Sequence, residues 1–197
     1  MNQIPNIISI FRTLFAIFLA ITILNDPDNE NLMIFAFWFT IFIIVLDGVD
    51  GIIARQLKSE SDFGAFFDIA CDRIVELIYL SLFVALQWIP FGILAIFLVR
   101  GILVDGIRGF ASKEGKTPFG EIGKKSMMET KLGHFLTSSR FMRASYGLIK
   151  TAAFALMFLV KSIYPEYIDI EMFLIYLMTF YCVIRGVPVL IEGRKYF

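Results

Sequence analysis

Six stretches of this chain, roughly 4–24, 32–54, 63–87, 89–112, 144–161 and 171–193, are long and apolar enough to cross a bilayer. At ~1.5 Å per helical residue against a ~30 Å hydrocarbon core, each reaches or nearly reaches across. Backbone N–H and C=O groups in lipid must be satisfied within the segment, so the stretches predict helices and the chain an all-α integral membrane protein. Composition agrees: 58% of the 197 residues are hydrophobic, 22 of them Phe, and 18% are charged. Soluble domains run nearer ~45–50% and ~25%. With a mean hydropathy of +0.75, disorder, a secreted disulfide scaffold and a nucleic-acid binder are all excluded as readings. Cys71 and Cys182 lie in apolar runs and read as small buried hydrophobes.

The first stretch does not read as a cleaved signal, because Met1 to Pro5 carry no positive side chain and Arg12 interrupts the apolar run. Pro5 falls in a first helical turn, while Pro27, Pro90 and Pro165 fall between stretches. Without repeats or a soluble insert, residues 1–197 read as a single transmembrane domain. Basic residues orient it. The connections 25–31, 87–90 and 162–170 lack them apart from Lys161 at an edge, whereas 55–62 has Arg55 and Lys58, and 113–143 has Lys113, Lys116, Lys124, Lys125, Lys131, Arg140 and Arg143. The tail adds Arg194 and Lys195. Six crossings with both termini in the cytoplasm satisfy all of these.

Ionisable groups inside spanning helices cost ~2.5–3.5 kcal/mol each on insertion scales and are functional candidates by default. Four aspartates stand close together: Asp47 and Asp50 at i, i+3 near the end of the second stretch, Asp68 and Asp72 at i, i+4 near the start of the third. Each pair shares a helix face. With the hairpin turning near Lys58 and Ser59, the pairs meet at matching depth, ~13–20 Å below the turn. Four facing carboxylates in low dielectric need a cation, and oxygen-only ligation points to Mg²⁺ or Mn²⁺ ahead of Ca²⁺, with two ions from the charge count. Gly48, Gly51, Gly64 and Ala54 leave room for close helix approach and a ligand. A solvated helix end with incidental acids would leave the paired spacing unexplained. An EF-hand fails for want of alternating ligands and a closing Glu. Gly115-Lys116-Thr117 is no P-loop, since Phe110 stands where the first glycine belongs.

Asp47-x-x-Asp50-Gly51-x-x-Ala54-Arg55, then eight residues, Gly64, three residues, Asp68, three residues and Asp72, resembles the signature of the CDP-alcohol phosphatidyltransferases. The resemblance implies a six-helix membrane enzyme, usually a homodimer, that moves a phosphatidyl group from a CDP-linked lipid such as CDP-diacylglycerol to an alcohol and releases CMP. It implies that Asp47, Asp50, Asp68 and Asp72 form the metal-binding acid cluster, with Asp72 the base that takes the acceptor hydroxyl proton. Gly51, Ala54, Arg55 and Gly64 are implied to line the cytidine diphosphate site. Metals that clamp the pyrophosphate and a carboxylate beside the attacking hydroxyl are what such a transfer needs.

For the acceptor, Arg100, Arg108, Lys150 and Arg185 lie within or at the ends of the last three stretches, where only Asp105 and Glu192 could offset them. Such cations suit a phosphorylated alcohol better than an amine, although Arg108 and Arg185 could instead snorkel to headgroups. Ile4-Pro5-Asn6-Ile7-Ile8-Ser9-Ile10-Phe11-Arg12, Val99-Arg100 with Arg108, and Gly147-x-x-Lys150-Thr151 look like the bacterial branch of the family that uses glycerol 3-phosphate. The 113–143 connection is longer than that pattern expects. The reading is therefore transfer from CDP-diacylglycerol to sn-glycerol 3-phosphate at the cytoplasmic face of a bacterial-type inner membrane. Inositol phosphate is the rival acceptor, and a divalent-cation transporter is the rival class, disfavoured by acids confined to one hairpin without repeat symmetry. His134 reads as a loop residue, the Phe runs at 11–18, 35–42 and 154–158 as lipid-facing or packing surface, and Trp88, Tyr146, Tyr164, Tyr167 and Tyr196 as an interfacial belt.

Overall fold

The computed structural model describes residues 4–56, 62–117 and 125–196, with the side chains of 4, 5, 47–56, 62, 63, 65 and 66 outside that description. The helices are α1 (Ile4–Asn25), α2 (Glu30–Gln56), α3 (Asp62–Ala85), α4 (Phe91–Lys113), α5 (Lys131–Ser138), α6 (Arg140–Ser162) and α7 (Ile168–Gly193). All but α5 have 22 to 27 residues, or ~33–40 Å at helical rise. They follow the six apolar stretches closely, except that α6 begins at Arg140 rather than at 144. The only bridge outside helices among the described residues joins Thr117 and Ser126.

Among the described residues, Asn6–Asn25, Lys131–Ser162 and Pro165–Tyr196 are long and apolar enough to cross a membrane, and Glu30–Leu46 is a shorter apolar helix. α3 and α4 are interrupted by charge: Asp68, Asp72, Arg73 and Glu76 in the first and Arg100, Asp105 and Arg108 in the second. Pro188 sits inside α7, where it removes the hydrogen bond to the Ile184 carbonyl.

Two helix ends are set by left-handed residues. At the end of α3, Gln87 has φ 58°, its N–H reaches the Val84 carbonyl and that of Trp88 the Phe83 carbonyl, the double bond pattern of a Schellman cap. Gly115, φ 71°, does the same for α4, with its own N–H on Ser112 and that of Lys116 on Ala111. The Gly-Lys-Thr tripeptide is thus a helix stop.

The chain divides into two compact units, Met1–Leu94 with Thr151–Met172 and Ala95–Lys150 with Phe173–Phe197. In the first, α1 packs on α2 and α3. Its buried stripe is Ser9, Arg12, Ala16, Leu19 and Ile23, and its outward stripe is Ile7, Phe11, Leu14, Phe18 and Ile21, the 3–4 spacing of one helix face each. The Phe runs divide the same way: Phe15 meets Phe39 at 5.6 Å between α1 and α2, while Phe11, Phe18, Phe35 and Phe42 are exposed. Farther along α3, Tyr79 stacks on Phe154 at 5.2 Å and Phe83 meets Phe158 at 5.4 Å. Trp88, expected at the interface, packs against Phe83 and Phe158.

In the second unit the described part of the 113–143 connection, 113–117 and 125–143, carries α5 and the first turn of α6. Met127 and Met128 are buried with Val104, Ile107, Ala111 and Val189, and Leu190 and Tyr196 pack on that core. Thr130 caps α5 by accepting the Gly133 N–H at 2.9 Å, and the Ser139 hydroxyl accepts the Met142 N–H at the start of α6. From α7, the Glu192 carboxylate accepts the N–H groups of Glu129 and Thr130 and the Thr130 hydroxyl. A Cβ on Gly133 would collide with that carboxylate, so glycine is what allows its approach. His134 therefore lies on α5 and not in a loop.

Candidate active site

Asp68 and Asp72 lie one turn apart on α3 and are brought together on the face that meets α1. Arg12 of α1, 1% exposed, donates from Nη2 to Asp72 Oδ1 at 2.6 Å and stands 3.7 Å from Asp68 Oδ1. The Ser9 hydroxyl, one turn earlier, donates to Asp68 Oδ1 at 3.4 Å. The partners advance in the same direction along both helices, so α1 and α3 run parallel here. On α1 the inward Ser9 and Arg12 give way to Ala16 and Leu19, and on α3 Asp68, Asp72 and the buried Glu76 give way to Tyr79 and Phe83. A polar end and an apolar end result.

The acid side chains keep 45% and 39% of their surface, so they remain open to a ligand although Arg12 is sealed. One turn on, Arg73 donates to the buried Glu76 at 2.6 Å, a pair that sequence reasoning did not single out. Asp47, Asp50, Gly51, Ala54 and Arg55 fall on α2, but their side chains lie outside the described residues. Gly64, on α3, is half-buried. Among the described residues no group of three or more His, Cys, Asp or Glu stands together. The described half of the acid set offers oxygen donors only, which suits a hard divalent cation. The contacts that Ser9 and Arg12 make to Asp68 and the one that Arg12 makes to Asp72 all fall on Oδ1, which leaves Oδ2 of each carboxylate for such an ion.

The basic residues assigned to the acceptor belong to the second unit. Lys150 Nζ lies 5.9 Å and Arg185 Cζ 5.0 Å from the centre of the Tyr146 ring, so this tyrosine gathers two cations, a role its sequence position as a belt residue did not signal. Arg108 is 3.5 Å from Asp105 one turn back. Arg100 packs against α7, where a Cβ on Gly186 would stand 3.0 Å from its Cγ. It lines a groove of about 360 Å³ otherwise made of apolar side chains such as Val99, Leu103, Val183 and Val187. Glu192, the other acid expected to offset these cations, is engaged by the amides ahead of α5.

An all-helical protein with membrane-length apolar helices and carboxylates gathered at one end of a helix pair defines the class: a membrane protein with a polar site set into its helices. The chain belongs to the CDP-alcohol phosphatidyltransferase family, whose model matches residues 2–184. A CDP-diacylglycerol–glycerol-3-phosphate 3-phosphatidyltransferase of Wigglesworthia glossinidia brevipalpis is 28% identical over 153 residues, 75% of this chain and 76% of that one. Proteins with the same description from Pseudomonas fluorescens and Cereibacter sphaeroides are 31% identical over 118 residues and 35% over 115. Those two matches cover 58% and 55% of this chain, and 59% and 50% of the relatives.

Proposed function

We propose that this chain transfers the phosphatidyl group of CDP-diacylglycerol to sn-glycerol 3-phosphate with release of CMP. The observation that carries the reading is the family match over residues 2–184 together with three relatives described by that reaction. The acceptor hydroxyl oxygen bonds to the phosphorus that bears the diacylglycerol, the bond from that phosphorus to the CMP oxygen breaks, and the hydroxyl proton passes to Asp72. Two Mg²⁺ or Mn²⁺ ions, held by Asp47, Asp50, Asp68 and the edge of Asp72, would neutralise charge on the pyrophosphate and the leaving CMP. Gly51, Ala54, Arg55 and Gly64 line the cytidine diphosphate site, and Arg100, Lys150 and Arg108 receive the acceptor phosphate.

Residues 1–197 act as one transmembrane domain of six crossings, α1 to α4, α6 and α7, with both termini and the active site on the cytoplasmic side of the inner membrane. The parallel register of α1 and α3 supports alternating crossings, and the basic connections support the orientation. The working form is a homodimer in the bilayer. Purified protein in detergent with labelled CDP-diacylglycerol and a panel of alcohols tests the reading. CMP release dependent on glycerol 3-phosphate is expected. Turnover with inositol phosphate or an uncharged alcohol in its place would overturn the acceptor assignment, and metal flux in proteoliposomes without CDP-lipid turnover would overturn the enzymatic one.

A further inference from the structure

Among the described residues, Arg12 is the one side chain that reaches both Asp68 and Asp72. It sits nine residues into a 22-residue apolar helix, ~12 Å along the axis from Ile4, with Ile10, Phe11 and Leu14 exposed around it. An arginine at that depth is costly, and snorkelling would turn it toward the headgroups. Instead it turns inward and is sealed, while the aspartates it meets stay open. Ser9, 2% exposed, extends the polar edge one turn toward Asp68. Thr13, the next residue, bonds back to the Ser9 carbonyl at 3.0 Å and satisfies itself within α1.

The contact is one-sided. Arg12 takes Oδ1 of Asp72, and among the described residues no hydrogen bond is made to Oδ2. A carboxylate gripped by one oxygen cannot rotate about its Cβ–Cγ bond without breaking a charge-assisted bond, so the other oxygen has a fixed direction. At 3.7 Å Asp68 is attracted but not gripped. The same guanidinium thereby holds Asp72 by a direct hydrogen bond and Asp68 by charge alone, with Ser9 supplying the longer hydrogen bond to Asp68.

We infer that Arg12 is a positioning residue for the transfer reaction: from α1 it fixes the Asp72 carboxylate so that its second oxygen faces the acceptor hydroxyl. The inference rests on the reading of Asp72 as the base. It assigns to α1 a part in the chemistry. Misplacing a reacting group by about 1 Å can cost ~10²-fold in rate, so the effect belongs in kcat. Neither substrate has to touch Arg12.

The test is a double-mutant cycle on purified protein, read as kcat and KM for both substrates, with CDP-lipid affinity measured separately by calorimetry. Arg12→Gln is expected to lower kcat by roughly 10–100-fold, to leave both KM values within about threefold and to leave CDP-lipid affinity unchanged. In an Asp72→Asn background, itself down by roughly 10²-fold, adding Arg12→Gln should change little, because the group it positions is already disabled. Arg12→Lys keeps the charge on a thinner stem and should recover part of kcat, and it serves if the Gln variant does not fold. Multiplicative losses in the double variant would overturn the inference, because they would mean that Arg12 acts independently of Asp72. So would a wild-type kcat in Arg12→Gln, or no difference between Lys and Gln. A wild-type rate in Asp72→Asn alone would instead remove the reading of Asp72 as base, and the inference with it.

Discussion

Replacing Glu192 by alanine should release α5 from the end of α7 without touching the acid site. The carboxylate accepts three hydrogen bonds just ahead of and within the cap of α5: from Glu129 N–H at 2.5 Å, from Thr130 N–H at 3.3 Å and from the Thr130 hydroxyl at 2.5 Å. A capping acceptor is worth ~1 kcal/mol, and a negative charge at a helix N-terminus a further ~0.3–1 kcal/mol. Glu192 is half-buried, so the sum is held to about 1.5–2 kcal/mol, below the ~1.5–3 kcal/mol that each hydrogen bond to a charged group can reach when sealed. At ~1.4 kcal/mol per tenfold change, the open population of the segment rises roughly 10–30-fold. Amide hydrogen exchange read by mass spectrometry should show that loss of protection over 126–138, with the peptides around Tyr79 and Phe83 unchanged. Gly133→Ala should give the same signature, because its new methyl group collides with the same carboxylate. Unchanged protection over 126–138 in both variants would refute the clamp.

Asp50→Asn should abolish turnover, and chelator should abolish wild-type turnover reversibly with Mg²⁺ or Mn²⁺; full activity in metal-free buffer would rule out a metal-dependent transfer. Neutralising Arg100 or Lys150 to Gln should raise the KM for glycerol 3-phosphate well above that for CDP-diacylglycerol, and equal KM changes would count against an acceptor role. Gln87→Gly should stabilise the protein by up to about 1 kcal/mol, since φ 58° strains any residue with a Cβ; a lowered midpoint of thermal unfolding would contradict that.

The positions of the helices were legible because hydropathy and proline act along the chain. Every long helix except α6 starts and stops within a few residues of its apolar stretch, and the Asp-rich motif falls on α2 and α3 as its spacing requires. The left-handed stop at Gly115 has an ordinary glycine signal, but the one at Gln87 has none, since glutamine carries no preference for that conformation. α5 is not legible in the sequence because eight residues that include Gly133 make a poor helix on their own, and its cap is completed by a residue 62 positions away.

By itself the sequence determined that this chain is helical and that it belongs with lipid. It also determined the family, because a spaced motif is a local property. Only the tertiary structure decided that Arg12 turns inward to Asp72 across 60 positions of chain, that Tyr146 gathers Lys150 and Arg185, and that Glu192 closes on α5. The reason is physical. A helix apolar on all sides carries little periodic signal to separate the face that meets protein from the face that meets lipid. Which charged side chain is sealed against which is fixed when helices distant in the chain pack together, and no interval within one helix encodes it.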